Sequence, residues 1–118
     1  MEPRIPELGR FAEPALVILV SLSDGPKHGY AIKQAVEQRT DGEIRLGPGT
    51  LYEAIQRLEE TGLIAEARGG APAHGQEAQR RYYTLTDRGL ETLGREVRQL
   101  GRLVDRAREN PRLRKGLA

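Results

Sequence analysis

Hydrophobic positions recur at helical spacing over the first half of the chain, and glycine and proline mark where each helical segment ends. An apolar run at 14–23 stops at Gly25 and Pro26 and predicts a buried helix, although its β-branched residues also suit a strand. Apolar residues at helical spacings over about 28–39 predict a second helix, which ends before Gly42. The first half of the chain is therefore expected to be mainly helical.

The next segment has the clearest helix signals, and they predict a third helix at 48–61. Pro48 is accepted in a first helical turn, and Gly62 suits the left-handed position that follows a helix. The apolar stripe of this helix consists of Leu51, Ile55 and Leu58. The opposite face carries Gly49, Thr50, Tyr52, Glu53, Gln56 and Arg57. This helix therefore presents short polar groups and an aromatic hydroxyl at its N-terminal end.

Two strand-like runs follow the third helix, and the segment between them is rich in Gly, Ala, Pro and Gln. The runs lie at 63–68 and 80–86 and predict a hairpin with a mobile loop. In the second run, alternation by two places Tyr83 and Leu85 on one face and Tyr82 on the other. Because Leu85 is expected to point inward, Tyr83 is expected to do the same.

A long helix is predicted after the hairpin, with Thr86 as its N-cap and Asp87 in its first turn. Its apolar residues are spaced by three and four positions, which is the seam of a heptad repeat. They are Leu90, Leu93, Val97, Leu100 and Val104. Such a seam indicates that the helix pairs with a second copy of the chain.

The order of the elements predicts the fold class, which is mainly α with a small β-hairpin. Three helices, a hairpin and a long helix are typical of a winged helix-turn-helix followed by a dimerisation helix. We place the winged domain at 1–86 with its wing hairpin at 63–86, the dimerisation helix at 87–110 and a flexible basic tail at 111–118. In this architecture the third helix enters the major groove of DNA.

Composition excludes several classes of protein. The chain has no cysteine, and its mean hydropathy of −0.60 and 37% apolar residues suit a chain outside the membrane. Its longest apolar run, at 15–20, is too short to cross a bilayer, so we expect a cytoplasmic protein. The two histidines, His28 and His74, lie in different units without clustered carboxylates. We therefore expect no metal site, no cofactor and no enzymatic activity, since no nucleophile and base can be grouped.

Charge is distributed unevenly along the chain. Residues 1–78 hold 8 Lys and Arg against 12 Asp and Glu, a balance of −4, whereas residues 79–118 hold 11 against 5, a balance of +6. The basic end is consistent with nucleic-acid binding, but an amphipathic helix with a solvated arginine face would give the same count.

Three successive motifs carry a resemblance to a known family. "HGYAI", "GTLYEAIQRLEETGLI" and "RRYYTLTDRGLETL" resemble the motifs of the PadR-like bacterial transcriptional regulators, in the same order and over residues 13–108. The single C-terminal helix is similar to that of the short subfamily, which has no separate ligand domain. The resemblance implies a homodimeric repressor that binds a pseudo-palindromic operator in double-stranded DNA and is released by a small hydrophobic molecule.

The resemblance also implies which residues contact the operator. On the third helix these are Gly49, Thr50, Tyr52, Gln56 and Arg57. At the start of the second helix, Tyr30 approaches a phosphate, and the residues beside it are Lys27, His28 and Lys33. The wing contributes Arg68, Arg80 and Arg81 as phosphate contacts. Phosphate contacts position such a protein, whereas Tyr52 and Gln56 would read the bases.

The ligand is the least defined part of the prediction. Some short members of the resembled family line the dimer cavity with tryptophan and stack flat aromatic drugs on it, but this chain has no Trp and no aromatic residue after Tyr83. Any pocket is therefore expected to be aliphatic, with a lining of Phe11, Leu16, Val20, Leu93, Val97 and Leu100. The alternative to DNA binding is a winged-helix module in which the third helix packs on a partner protein.

Overall fold

The three-helix core, the two strands after it and the long C-terminal helix form as the sequence predicts. The structure is a computed structural model that describes residues 14–67 and 81–117. The helices are α1 at 14–21, α2 (Gly29–Arg39), α3 (Pro48–Glu60), α4 (Asp87–Arg108) and α5 (Pro111–Leu117). The strands are β1 (Lys27–His28), β2 (Ile64–Ala67) and β3 (Tyr82–Leu85). The fold class is confirmed, and the strand alternative for the first apolar run is wrong.

The core lies where α1, α2 and α3 meet the sheet. Its buried side chains are Ile18, Leu19, Leu22, Ile32, Val36, Leu46, Leu51, Ile55, Leu58, Ile64, Tyr83 and Leu93. Each fully buried aliphatic side chain contributes about 1.5–3 kcal/mol, which is why the β-branched run of α1 stays helical against its local preference. Ser21 is buried among them, and its hydroxyl donates to the Ile18 carbonyl at 2.7 Å.

The sheet has three antiparallel strands in the order β1-β3-β2, so the wing hairpin is extended by a strand that the sequence did not predict. β1 pairs Lys27 with Tyr83 and His28 with Tyr82. Two residues are too few to show a period of two, and β1 runs directly into α2. In β3, Tyr83 is buried, whereas Tyr82 is only partly covered, so the predicted alternation is confirmed.

The end of α3 contacts the start of α4 through four residues, and we call this contact the α3–α4 joint. The residues are Gly62, Leu63, Thr86 and Gly89. Gly62 adopts a left-handed conformation with φ of 78° after α3. The Thr86 hydroxyl donates to the Gly62 carbonyl at 2.6 Å and accepts from the Gly89 amide at 3.0 Å. The Thr86 amide donates to the Leu63 carbonyl at 3.1 Å. Thr86 is therefore both the predicted N-cap of α4 and its attachment to α3.

Gly89 completes the joint because it has no side chain. A Cβ atom built on Gly89 would overlap the carbonyl oxygen and carbon of Leu63, which belong to the backbone and cannot rotate away. The first turn of α4 therefore approaches the backbone at the end of α3 more closely than any other residue type allows.

Two predictions about the C-terminal part need correction. Leu93, which the seam assigns to a partner, is only 6% exposed and packs in the core of its own chain. It therefore anchors α4 to the winged domain and is not available to a second copy. The sequence also predicts a flexible tail at 111–118, whereas Pro111–Leu117 forms the helix α5, whose start is stabilised by the Asn110 side chain accepting from the Arg112 amide at 2.9 Å.

We expect Gly89→Ala to lower the free energy of unfolding by about 2 kcal/mol or more, because its methyl group must displace backbone atoms of Leu63. The matched control is Gly49→Ala, whose methyl group would meet nothing within 4 Å and sits in the first turn of α3. The control is expected to leave stability unchanged or raise it by up to about 1 kcal/mol. Urea unfolding at fixed protein concentration measures both. Equal stability of the two variants would contradict the close contact.

Candidate nucleic-acid interface

The N-terminal ends of α2 and α3 meet the start of β3 around one shallow cavity of about 380 Å³. Its lining residues are His28, Gly29, Tyr30, Tyr52, Arg81 and Tyr83. Four of these are operator contacts in the sequence prediction, namely His28, Tyr30, Tyr52 and Arg81. The structure thus brings together residues that lie up to 53 positions apart in the chain, from His28 to Arg81.

Two exposed tyrosines dominate this cavity. Tyr30 is 58% exposed and Tyr52 is 56% exposed, although tyrosine rings usually bury most of their surface. The ring of Tyr52 lies against Gly29, where an added Cβ atom would stand 3.2 Å from the Tyr52 hydroxyl oxygen. Gly29 therefore makes room for the ring, which is held in place while its other face stays open to a partner.

His28 has a structural role that the sequence did not reveal. Its Nδ1 atom accepts a hydrogen bond from the Ala31 amide at 3.1 Å, so His28 is the N-cap of α2. Its ring also packs edge-on against Tyr82, with ring centroids 5.3 Å apart. His28 therefore orients the first turn of α2, and with it Tyr30, in addition to lining the cavity. Ser, Thr, Asp and Asn are the usual sequence signals for an N-cap, and histidine is not among them.

The start of α3 is suited to a negatively charged partner. Gly47 precedes it and provides no side-chain cap, Pro48 opens it, and the first turn has no acidic residue. Gly49 and Thr50 are exposed there. The first amide groups of a helix lack intrahelical partners and carry the positive end of its dipole. The sequence predicts that this end of α3 contacts DNA, and the exposure of Gly49 and Thr50 is compatible with this prediction.

Among the described residues, three of the four lysines and arginines predicted to contact DNA are paired with carboxylates. Lys33 pairs with Glu37 at 3.0 Å, and Arg57 pairs with Glu53 at 3.2 Å. Lys27 pairs with Asp24, which also accepts from Arg39 at 2.8 Å. The Gln56 amide donates to Glu60 at 3.3 Å. These ion pairs neutralise cations that the predicted contact would use, within a region whose balance is −4.

The wing is described only at its base. Arg81 is exposed and lines the cavity from the start of β3, as the prediction requires. The other two wing cations, Arg68 and Arg80, and His74 in the loop lie outside the described residues.

Tyr83 is the one buried ionisable group of this cavity among the residues described. Burial raises the pKa of the Tyr83 hydroxyl above its ordinary value of 10.0, and the carboxylate of Glu59 acts in the same direction. The guanidinium of Arg81 hydrogen-bonds the hydroxyl and opposes the rise. In contrast, the pKa of Asp24 is lowered, chiefly by its hydrogen bond with Lys27.

Within the described residues, the predicted lining of the ligand pocket does not come together in one chain. Leu93 is in the core, Val97 and Leu100 are exposed, and Leu16 and Val20 pack against the core, while Phe11 lies outside the described residues. A second cavity of about 350 Å³ lies elsewhere, between α1 and α3. It is lined by Pro14, Ala15, Thr50, Glu53, Ala54, Arg57 and Leu58. The aliphatic pocket therefore stays a prediction that requires a second chain.

Comparison with known proteins identifies the family. The model of the transcriptional regulator PadR-like family matches residues 18–95, which include α2, α3, the sheet and the joint. The chain belongs to the PadR-like family. This family consists of transcriptional regulators, so the chain is a regulator and not an enzyme. Within the described residues, no helix is both long and apolar enough to cross a bilayer.

Individual relatives agree with the family assignment. The transcriptional regulator YqjI of Escherichia coli is 29% identical over 116 residues, which cover 89% of this chain and 52% of that protein. A transcriptional regulator from Clostridium thermocellum has the same fold, with a TM-score of 0.70 at 23% identity over 93% of this chain and 99% of that one. PadR of Bacillus subtilis, solved in complex with operator DNA, gives a TM-score of 0.59 at 23% identity, over 70% of this chain and 45% of that one.

The PadR-like relatives differ from this chain in length. The chain spans 52% of YqjI and 27% of a second curated relative that it matches. The shared part is thus the winged domain with the long helix, and activities of the longer relatives do not transfer as a whole.

The raised pKa of Tyr83 predicts a loss of stability at alkaline pH. The unfolded chain ionises this hydroxyl at its ordinary pKa of 10.0, whereas the folded chain keeps it neutral to a higher pH. Stability is therefore expected to fall as pH rises from the unfolded pKa of 10.0 through the higher folded pKa. Tyr83→Phe should lose less unfolding free energy than the wild type between pH 8 and about pH 10.5, in urea unfolding. The control Tyr52→Phe alters an exposed ring and should behave as the wild type. If Tyr83→Phe lost as much unfolding free energy as the wild type over this pH range, the prediction from the buried hydroxyl would be wrong.

Proposed function

We propose that this regulator is a homodimeric repressor that binds a pseudo-palindromic operator in double-stranded DNA through α3 and the wing. The observation that carries the proposal is the cavity at which Tyr30, Tyr52 and Arg81 meet beside the uncapped start of α3. Two half-exposed aromatic hydroxyls, a guanidinium and free helix amides suit a phosphate backbone and the base edges beside it. The protein would act in the cytoplasm, where bacterial DNA lies.

In this proposal the residues of α3 divide into two groups. Tyr52 and Gln56 project from the exposed face of α3 and read base edges in the major groove. Thr50 and Gly49, at the start of the helix, approach the phosphate backbone. Arg57 follows one turn later and joins the phosphate contacts.

The phosphate contacts also include α2 and the wing. Tyr30 and His28 hold one phosphate at the start of α2, with Lys27 and Lys33 nearby, and Arg81 holds another at the base of the wing. Arg68 and Arg80 extend the same contact in the proposal. Binding exchanges the carboxylate partners of Lys27, Lys33 and Arg57 for phosphates. The Arg57–Glu53 pair is exposed on both sides, and because an exposed ion pair contributes only about 0–1 kcal/mol, exchanging that pair costs little.

The exposed stripe of α4 supports the homodimer. Leu90 is 58% exposed, and the side chains that follow it on the same face are also exposed, namely Val97, Leu100 and Val104. Large apolar side chains in a continuous row are a common mark of a protein interface. Their spacing of seven, three and four positions keeps them on one side of the helix, where a second α4 can pack.

The proposal includes a small hydrophobic inducer, whose binding pocket would form only in the dimer. Leu16 and Val20 of α1 are partly buried and pack against the core, while Val97 and Leu100 stay exposed. A second chain that covers α4 would enclose an aliphatic space lined by such residues. The inducer would then act by changing how the two chains pack.

We expect the wild type to bind the DNA upstream of its own gene, and Tyr52→Ala to weaken binding by roughly tenfold or more because alanine cannot reach the base edges. Arg81→Ala should weaken binding and reduce the slope of log affinity against log salt by about 0.9 for each phosphate that is no longer neutralised. Fluorescence anisotropy over a salt series measures both effects.

The controls for this experiment separate local from general effects. Tyr52→Phe keeps the ring and tests the hydroxyl alone, and Arg112→Ala removes an exposed arginine on α5, far along the chain from the cavity. Arg112→Ala should keep the wild-type slope. Absence of any wild-type binding, together with recovery of a partner protein bound through α3, would replace the proposal with the protein-assembly alternative.

We expect Val97→Asp combined with Leu100→Asp to convert the dimer into a folded monomer, because both side chains are exposed on the stripe and neither is part of the core. The control is Gln99→Asp, at an exposed residue two positions after Val97 and one before Leu100, and so about 100° or more from both around the helix. Light scattering measures the mass, and circular dichroism verifies folding. A dimer that survives the double substitution would place the interface elsewhere.

A further inference from the structure

We infer that the α3–α4 joint sets the distance between the two α3 helices of the dimer and thereby selects the half-site spacing of the operator. This inference rests on the proposed function, because it needs both the dimer and the DNA contact. It assigns Thr86 and Gly89 a positioning role in specificity, although neither residue is proposed to touch DNA.

The joint is a direct mechanical link that bypasses the wing. Along the chain, Gly62 and Thr86 are 24 residues apart, and the wing lies between them. In space the Thr86 hydroxyl bonds the Gly62 carbonyl at 2.6 Å, immediately after the end of α3. The same oxygen accepts from the Gly89 amide in the first turn of α4. One hydroxyl therefore holds the end of one helix and the start of the other.

The close contact at Gly89 restricts the angle between α3 and α4. Because the first turn of α4 touches the Leu63 carbonyl with no side chain between them, α4 cannot tilt toward α3. The Thr86 amide bonds that same carbonyl at 3.1 Å, and the buried Leu93 holds α4 against the core one turn later. Tilting away would break the hydrogen bonds of Thr86 and expose Leu93.

A small change in the angle between α3 and α4 changes the spacing of the two protomers by about one base pair of DNA or more. Val97 and Val104 of the stripe lie 8 and 15 residues beyond Gly89, or about 12 and 22 Å along the helix at 1.5 Å per residue. A tilt of about 10° therefore shifts the interface by about 2–4 Å in each protomer, and by twice that between two protomers related by symmetry. Since DNA rises about 3.4 Å per base pair, this shift exceeds one base pair.

Substitutions at Thr86 test the role without adding atoms to the joint. Thr86→Val keeps the shape and removes both side-chain hydrogen bonds, and Thr86→Ala removes them with a smaller side chain. Thr86→Ser keeps the hydroxyl and is the matched control. Each variant is first tested for folding by circular dichroism and for dimer formation by light scattering.

The first measurement is affinity for a series of operators in which the spacing between half-sites changes one base pair at a time. The wild type and Thr86→Ser should prefer one spacing by roughly tenfold over its neighbours. Thr86→Val should lose most of this preference or shift it by a base pair, while its affinity for a single half-site stays within about twofold of the wild type. An unchanged spacing profile in Thr86→Val would overturn the inference.

The second measurement needs no DNA and so separates this inference from the proposed function. The chain has no cysteine, so Glu60→Cys places one spin label per protomer at the exposed end of α3. The label-to-label distance in the dimer should be narrowly distributed in the Thr86→Ser background and broadened or shifted by a few ångströms with Thr86→Val or Thr86→Ala. Equal distributions in all backgrounds would overturn the inference. Failure of both Thr86→Val and Thr86→Ala to fold would also overturn it, because Thr86 would then serve the fold as a whole.

Discussion

The contact between Gly89 and the Leu63 carbonyl is the constraint on which the relation between the winged domain and α4 depends. It fixes where α4 starts and in which direction it leaves the domain. Leu93 consequently falls into the core, and the same face of the helix emerges beyond the domain with Val97, Leu100 and Val104 uncovered. A single apolar stripe thus serves two purposes, since Leu93 anchors the helix and the exposed residues of the stripe are left for another surface.

The candidate interface is assembled from groups that the core does not need. Tyr30 and Tyr52 are more than half exposed, and they are supported by the His28 side chain that caps α2 and by the space left by Gly29. Such an arrangement lets the contact residues change with little effect on folding. Tyr83 is the exception, because it lines the cavity and is also part of the core.

Much of the fold was predictable because its signals are local. The boundary signals of α3 at Pro48 and Gly62 and the alternation of Tyr82 and Tyr83 each depend on a few neighbouring residues. The missed features depend on residues distant in the chain. The two-residue strand β1 exists only because β3 pairs with it, and the need for glycine at 89 arises from a carbonyl 26 positions earlier. The cap at His28, an unusual residue for this position, and the burial of Leu93 likewise became apparent only from the three-dimensional arrangement.

The pairing of the basic residues with carboxylates has a consequence for how such a regulator would search a genome. Random DNA attracts proteins almost entirely through phosphate contacts, so a domain that neutralises its own cations is held weakly by the wrong sequence. On binding, Lys33 and Arg57 would exchange one anion for another and gain little from phosphate alone. Residence on DNA would then depend on the uncharged contacts of Tyr52 and Gln56. The acidic character of the winged domain would thereby shorten each unproductive encounter and leave more of the protein free.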